Sequence, residues 1–194
     1  MRIIAGRFKG RLLQAPSGLE TRPTSDRLRE ALFNVLAHGY DDPITDARVL
    51  DLFAGTGALG LEALSRGAAF VQFVEEAAAA RGLIKANIEA LGVAGVTKVY
   101  RRDATYMGPV APAEPFSLVF CDPPYGKGLA ASALASALKG GWLTSDAVVI
   151  VEERADQKDI LPHGFETIEE RLYGETKLVF ACLSRPSDTI DGPK

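Results

Sequence analysis

Cysteine, histidine and tryptophan are scarce in this chain of 194 residues, which holds two, two and one of them. The two cysteines, Cys121 and Cys182, both lie in apolar runs where a buried thiol is the expected state, so no disulfide framework is indicated. At this length one α/β domain buries a sizeable core without disulfides or a structural metal. His38 and His163 are read as surface or structural groups. No apolar run approaches the roughly 20 residues of a membrane span, and residues 1–7 lack the apolar core of a signal peptide. The expectation is a cytoplasmic protein with no membrane or metal partner, acting as a monomer. No internal repeat or linker divides it, so residues 1–183 read as one domain: an N-terminal hairpin and helix extension over 1–40 and a core over 48–183. The polar stretch 184–194, with Pro and Gly, is expected to be disordered.

Excess charge is also small, net −3, but it is unevenly spread. Residues 1–30 carry +4 and the remainder −7. An acidic body disfavours indiscriminate coating of DNA, whereas the basic end suggests that Arg7, Lys9, Arg11, Arg22 and Arg27 meet a polyanion.

The chain is organised around residues 49–60, where an apolar run reaches Asp51 and then breaks into glycines. This reads as a buried parallel strand, a tight turn and a helix start. Gly55 and Gly57 can take strained dihedrals and let the backbone approach a ligand, while Gly60 lets the helix pack on the strand. Two cofactor classes use this geometry. A dinucleotide fold aims the helix N-terminus at a pyrophosphate, whereas an S-adenosylmethionine fold needs carboxylates for a cationic methionine moiety and for ribose hydroxyls. Asp51 suits the second, but Glu75, about 20 residues after Gly55, also fits the dinucleotide fingerprint. The glycines alone leave both open.

In order, residues 2–15 read as a small β-hairpin with a cationic rim, and 18–25 as a loop in which Thr24 or Ser25 caps a helix. Leu28, Leu32, Val35 and Leu36 recur on that helix at helical spacing, and it carries Arg27 and Arg29. Strands are expected at 48–53, 70–74, 96–101, 116–121 and 147–151, with helices at 59–66, 77–91 and 129–138. Residues 165–172 and 177–183 read as an antiparallel hairpin at the sheet edge. The fold class is α/β and Rossmann-like, a mostly parallel sheet ending in an antiparallel hairpin, with a small N-terminal β-hairpin and helix.

Three carboxylates reach the ligand-binding edge of such a sheet: Asp51, Glu75 and Asp103 each follow or end an apolar strand. A fourth, Asp122, opens Asp122-Pro123-Pro124-Tyr125. Two prolines cannot extend the sheet, so they set a rigid outward turn with free carbonyls and an aromatic ring beside it. That turn suits a flat base. An exocyclic amine is a poor nucleophile because its lone pair is delocalised into the ring; hydrogen bonds to the Asp122 carboxylate and the Pro123 carbonyl orient it and favour a pyramidal nitrogen. Tyr125 can stack on the ring, a contact worth about 1–3 kcal/mol. Methyl transfer from a sulfonium then needs positioning and electrostatics, with no metal and no covalent intermediate.

These residues carry a resemblance. Asp122-Pro123-Pro124-Tyr125 with Asp51-Leu52-Phe53-Ala54-Gly55-Thr56-Gly57 resembles the class I S-adenosylmethionine-dependent amino-methyltransferases. Arg2-Ile3-Ile4-Ala5-Gly6, the run from Arg22 to Asn34 and the run from Gly57 to Gly67 resemble the RsmD family, which methylates a guanine N2 in bacterial small-subunit (16S) ribosomal RNA. The likeness implies S-adenosyl-L-methionine as cofactor and ribosomal RNA, within a small-subunit assembly particle, as partner. It implies that Asp51, Phe53, Gly55 and Gly57 line the methionine end, Glu75 the ribose, and Asp103 with Ala104 the adenine. Asp122, Pro123, Pro124 and Tyr125 are the implied catalytic residues. One departure stands out: Ala77 occupies a position where a second acidic residue is expected, leaving the ribose to Glu75, with Glu76 less well placed.

Three other readings remain. A DNA adenine or cytosine amino-methyltransferase shares the tetrapeptide but usually needs a further module to read base edges. An NAD-dependent oxidoreductase accounts for the glycines and Glu75 but leaves Asp51 and the proline turn unexplained. A catalytically inert RNA-binding protein would bind cofactor without transferring methyl.

Overall fold

The computed structural model describes residues 1–16 and 23–184. Their elements run α1 (Pro23–Gly39), β1 (Arg48–Leu52), α2 (Ala58–Ser65), β2 (Phe70–Val74), α3 (Ala78–Leu91), β3 (Thr97–Tyr100), β4 (Phe116–Cys121), α4 (Leu129–Lys139), β5 (Leu143–Arg154), β6 (Phe165–Tyr173) and β7 (Thr176–Leu183), with short 3₁₀ turns at Ala94–Val96 and Ala104–Tyr106. The strands form one sheet in the order β3-β2-β1-β4-β5-β7-β6. β1 to β5 pair in parallel, and β7 lies antiparallel between β5 and β6.

Strand pleating divides the core between the two faces. Val49, Phe73, Phe120 and Ile150 meet α1, α2 and α3 on one side through Leu32, Leu36, Leu61 and Ile84. Leu50, Leu52, Val119 and Val149 meet α4 on the other, through Ala133, Leu134 and Ala137. Both faces are covered, which is why β1 and β4 read as nearly continuous apolar runs. No helix among the described residues is long and apolar enough to cross a membrane.

The expected elements are present, with differences at their ends. α1 already begins at Pro23, so Thr24 and Ser25 lie inside its first turn rather than capping it; a proline suits the first helical position because its missing N–H would be unpaired there anyway. β5 starts four residues earlier than expected, since Leu143 pairs with Phe116 across a register shift. Cys121 is buried, but Cys182 is only partly so. The expectations for the loop over 18–22, Arg22 included, and for residues 185–194 lie outside the described residues, whereas Ser184, expected to be disordered, is placed with its N–H donating to the Gly164 carbonyl at 2.9 Å.

The N-terminal hairpin is reduced to one antiparallel bridge, Arg2 to Leu12. What holds this segment is a set of buried polar side chains reaching out from the core. Glu62, wholly buried on α2, accepts from the Ile4 and Ala5 N–H groups at 2.8 and 3.0 Å. Ser65 accepts from the Phe8 N–H, and Asn87 of α3 accepts from Gln14 N–H at 2.7 Å while donating to the Thr56 carbonyl. Gly6 closes the contact: at φ 77°, a Cβ there would lie 1.8 Å from the Ser65 carbonyl oxygen.

Candidate active site

In this strand order the chain leaves β1 in one direction and β4 in the other, so a crevice opens between their C-terminal ends. The turn after β1 is shaped for close approach. Gly55 and Gly57 have φ of 55° and 78°, and Phe53 between strand and glycines also holds a positive φ of 58°. Gly60 has no room for a side chain, since a Cβ would meet the Phe73 ring at 2.5 Å and Val71 at 2.7 Å. Its N–H donates to the Asp51 carboxylate at 3.0 Å. A side chain at residue 60 would break that contact and lift α2 off the sheet.

Two clefts meet at Phe53, which lines both. One, of about 520 Å³, is bounded by Glu75, Glu76, Ala77, Asp103, Ala104 and Pro124 among others. The second, of about 210 Å³, is bounded by Asp51, Gly55, Thr56, Arg29, Asp122 and Glu152 among others. The implied ribose and adenine residues thus gather in one cleft, and the implied methionine-end residue Asp51 joins Asp122 in the next.

Each carboxylate has its own setting. Glu75 at the end of β2 accepts from the Gly55 N–H at 2.9 Å and from the Ala77 N–H at 2.8 Å, tying the glycine turn to the start of α3. Ala77 therefore leaves no second acid, but its backbone helps to fix the first. Asp103 is exposed and accepts from both the Thr105 N–H and its hydroxyl, at 2.8 and 2.7 Å. Burial pushes the Asp51 carboxyl up to about 8; the Gly60 N–H offsets part of this and the Glu75 charge adds to it. Asp122 is raised well above the usual carboxylate range, first by burial, then by the charges of Glu152, Asp51 and Glu153.

The Asp-Pro-Pro-Tyr turn divides its residues. Asp122 faces the smaller cleft and Pro124 the larger, while Pro123 is buried. Tyr125 is 39% exposed and turns to a neighbouring groove of about 610 Å³ with Arg154 and Thr176. Its hydroxyl donates to Glu152 at 2.6 Å. Glu152 escaped the sequence reading, although the rule that found the others, an acid following an apolar strand, applies to it: the strand was expected to stop at Val151. Arg29 has no such signal. It is 5% exposed, and its Nη2 donates to the Arg2 carbonyl and to Asp26 at 2.7 and 3.0 Å, while its Nε has no hydrogen-bond partner.

The basic residues are spread over more than one place. Lys9 and Arg27 line a groove between the N-terminal segment and α1, joined by Arg2. Arg11 donates to the Ala90 carbonyl at the end of α3, and the Arg7 guanidinium lies over the Phe8 ring at 4.5 Å.

A doubly covered sheet with a glycine turn and a carboxylate-lined crevice at its switch point defines a Rossmann-like class I methyltransferase fold. The chain belongs to the family described as conserved hypothetical protein 95, the RsmD family, whose model matches residues 1–182. It is 37% identical over 177 residues to ribosomal RNA small subunit methyltransferase D of Escherichia coli K12, covering 90% of this chain and 86% of that protein. The protein of the same name from Haemophilus influenzae is 33% identical over 176 residues, covering 90% and 89%. Among solved structures, the yhhF protein of Escherichia coli superposes with a TM-score of 0.79 at 36% identity, over 94% of this chain and 97% of that one.

Proposed function

We propose that this chain is a ribosomal RNA methyltransferase that moves a methyl group from S-adenosyl-L-methionine to the exocyclic N2 amine of a guanine in small-subunit RNA. The observation that carries the reading is the placing of Asp122, which opens the proline turn at the switch point, in the same cleft as Asp51. The names of the relatives support ribosomal RNA as the substrate class.

The residues present fit the cofactor. S-adenosylmethionine supplies an electrophilic sulfonium methyl and is a net cation, with sulfonium and ammonium charges against one carboxylate. A cleft lined by Asp51, Asp122 and Glu152 attracts such a cation and repels the pyrophosphate of a dinucleotide, and the Gly60 N–H at the start of α2 is already occupied by Asp51. In this reading Asp51, Phe53, Gly55 and Gly57 hold the methionine end, Glu75 accepts from ribose hydroxyls, and Asp103 and Ala104 hold the adenine. Nearby positive charge keeps Asp51 and Asp122 ionised despite their burial. Asp122 and the Pro123 carbonyl then orient the guanine amine, and Asp122 steadies the positive charge that develops on nitrogen. Tyr125 stacks on the base, and Arg7, Lys9, Arg11, Arg22 and Arg27 contact RNA phosphates.

The test is incubation with labelled S-adenosylmethionine and, separately, unmethylated small-subunit particles, naked ribosomal RNA and DNA, followed by digestion to nucleosides. Label in N2-methylguanosine from RNA is expected. Label in methyladenosine, or transfer to DNA alone, overturns the guanine reading.

A further inference from the structure

The parallel register of β1, β4 and β5 puts more on the crevice than Asp122. Asp51 lies beside Phe120, and Phe120 and Cys121 lie beside Ile150 and Val151. Continued by one residue, the last pairing sets Asp122 beside Glu152. Because side chains alternate along a strand, Glu152 falls on the same face as Ile150, and Asp122 on the same face as Phe120, which is the face that Asp51 shares. Adjacent strands are about 4.8 Å apart, so the two carboxylates are immediate neighbours. Both line the 210 Å³ cleft with Asp51.

Glu153 has a different place. It is 1% exposed, and its carboxylate accepts from the Gly126 and Arg154 N–H groups at 3.2 and 3.0 Å. That residue braces the turn after Asp122. Glu152 is partly exposed and lines the cleft, and its Oε1 accepts from the Tyr125 hydroxyl. Across β7 it faces Leu178, which brings no countercharge. The charged and titratable groups around it are Asp51, Asp122, Tyr125, the N-terminal residue Met1 and, from α1, Arg29, whose Nη2 is already committed to the Arg2 carbonyl and Asp26.

We propose that Glu152 is a second catalytic carboxylate of the acceptor site, facing the reacting amine beside Asp122 and taking the proton which that nitrogen loses. The inference rests on the amine-methylation reading above. As the nitrogen gains the methyl carbon, the carbon–sulfur bond breaks with its electron pair left on sulfur, and the nitrogen becomes cationic. It then sheds one N–H proton to the Glu152 carboxylate, which passes it to solvent. Two neighbouring negative charges favour that cationic nitrogen more than one does, and their mutual repulsion makes either a better proton acceptor.

The test is Glu152→Gln, which preserves shape and the oxygen that accepts from Tyr125 but removes the charge and the basic site. At saturating S-adenosylmethionine the single-turnover rate on small-subunit particles should fall about tenfold or more, a larger factor than any loss of S-adenosylmethionine affinity by calorimetry. The acid limb of the pH–rate profile should become shallower, because one of two carboxylates that must be ionised is gone. Glu152→Asp should restore part of the rate together with the acid limb, and Tyr125→Phe should leave that limb as steep as in wild type but move it to higher pH, because the hydrogen bond that holds the Glu152 carboxyl down is lost. If Glu152→Gln matches wild type in rate and profile, or Glu152→Asp is no faster than Glu152→Gln, the residue only holds Tyr125 and the proposal fails. Wild-type protein that methylates no amine in any RNA overturns the functional reading itself, and is a separate outcome.

Discussion

Asp51 and Asp122 line one cleft and are both raised above the usual carboxylate range, first by burial; the proposed function gives them different tasks, which substitutions separate. If Asp122 acts mainly on the transition state, its loss lowers rate more than affinity. Asp122→Ala is expected to reduce single-turnover methylation at least about 10²-fold, with S-adenosylmethionine still bound. Asp122→Asn keeps one acceptor oxygen and should retain measurable activity, because the methylated amine can lose its proton afterwards. Equal rates for wild type and both variants would remove the turn from the reacting base. Asp51 yields a stability test. Its folded carboxyl, raised to about 8, binds a proton more tightly than the unfolded chain does. The stability it contributes is therefore complete below about pH 4 and is lost as pH rises towards 8. Asp51→Asn keeps an acceptor for the Gly60 N–H without that loss. Thermal unfolding of the cofactor-free variant should show a flatter pH dependence and a higher midpoint at pH 8, with weaker cofactor binding. A pH dependence identical to wild type contradicts the assignment.

At the scale of elements, the N-terminal segment depends on α2 more than on its own hairpin. Glu62 accepts from two backbone N–H groups and from Arg66 Nε at 2.8 Å, and Arg29 Nε lies 3.8 Å away. Glu62→Ala removes the only carboxylate that faces both Arg29 and Arg66 among these contacts, and breaking such a buried pair typically costs about 3–5 kcal/mol. The expected result is a lower unfolding midpoint and earlier tryptic cleavage after Arg7 and Arg11, while α4 and the opposite face are protected as before in hydrogen exchange. Unchanged cleavage would mean that Ser65, Asn87 and the bridge between Arg2 and Leu12 hold the segment without Glu62. The glycine turn is an element of the same kind: Glu75 joins Gly55 to Ala77, which ties β2, the turn and the start of α3 to one another.

For the whole molecule, charge is divided between an acidic body and a basic end, and the folded chain sets Arg2, Lys9 and Arg27 around one groove, which Asp26 and Glu30 also line. If that groove contacts phosphates, as proposed, the contacts release counterions, so replacing Lys9 and Arg27 by Ala should weaken RNA binding and flatten its dependence on salt, with cofactor affinity unchanged. RNA binding equal to wild type at low and high salt would assign the groove a structural role alone.

The amino-acid sequence by itself determined the alternation of strands and helices, the glycine turn and the acids at four strand ends. These are local consequences of period, chain-breaking residues and runs long enough to be buried on both faces. It did so well enough that β2 and β4 agree with expectation at both ends. The tertiary structure alone decided which acids share a cleft, because that depends on strand order and register: Asp122 meets Glu152, 30 positions later in the chain, across β4 and β5. It also decided that Tyr125 rests on Glu152, and that Glu62, Ser65 and Asn87, ordinary polar residues in a helical pattern, are buried to receive the backbone of a segment at least 50 residues away. Hydrogen bonds between residues so distant leave no periodic trace in sequence, since they follow from how the sheet and its helices pack rather than from what any stretch prefers.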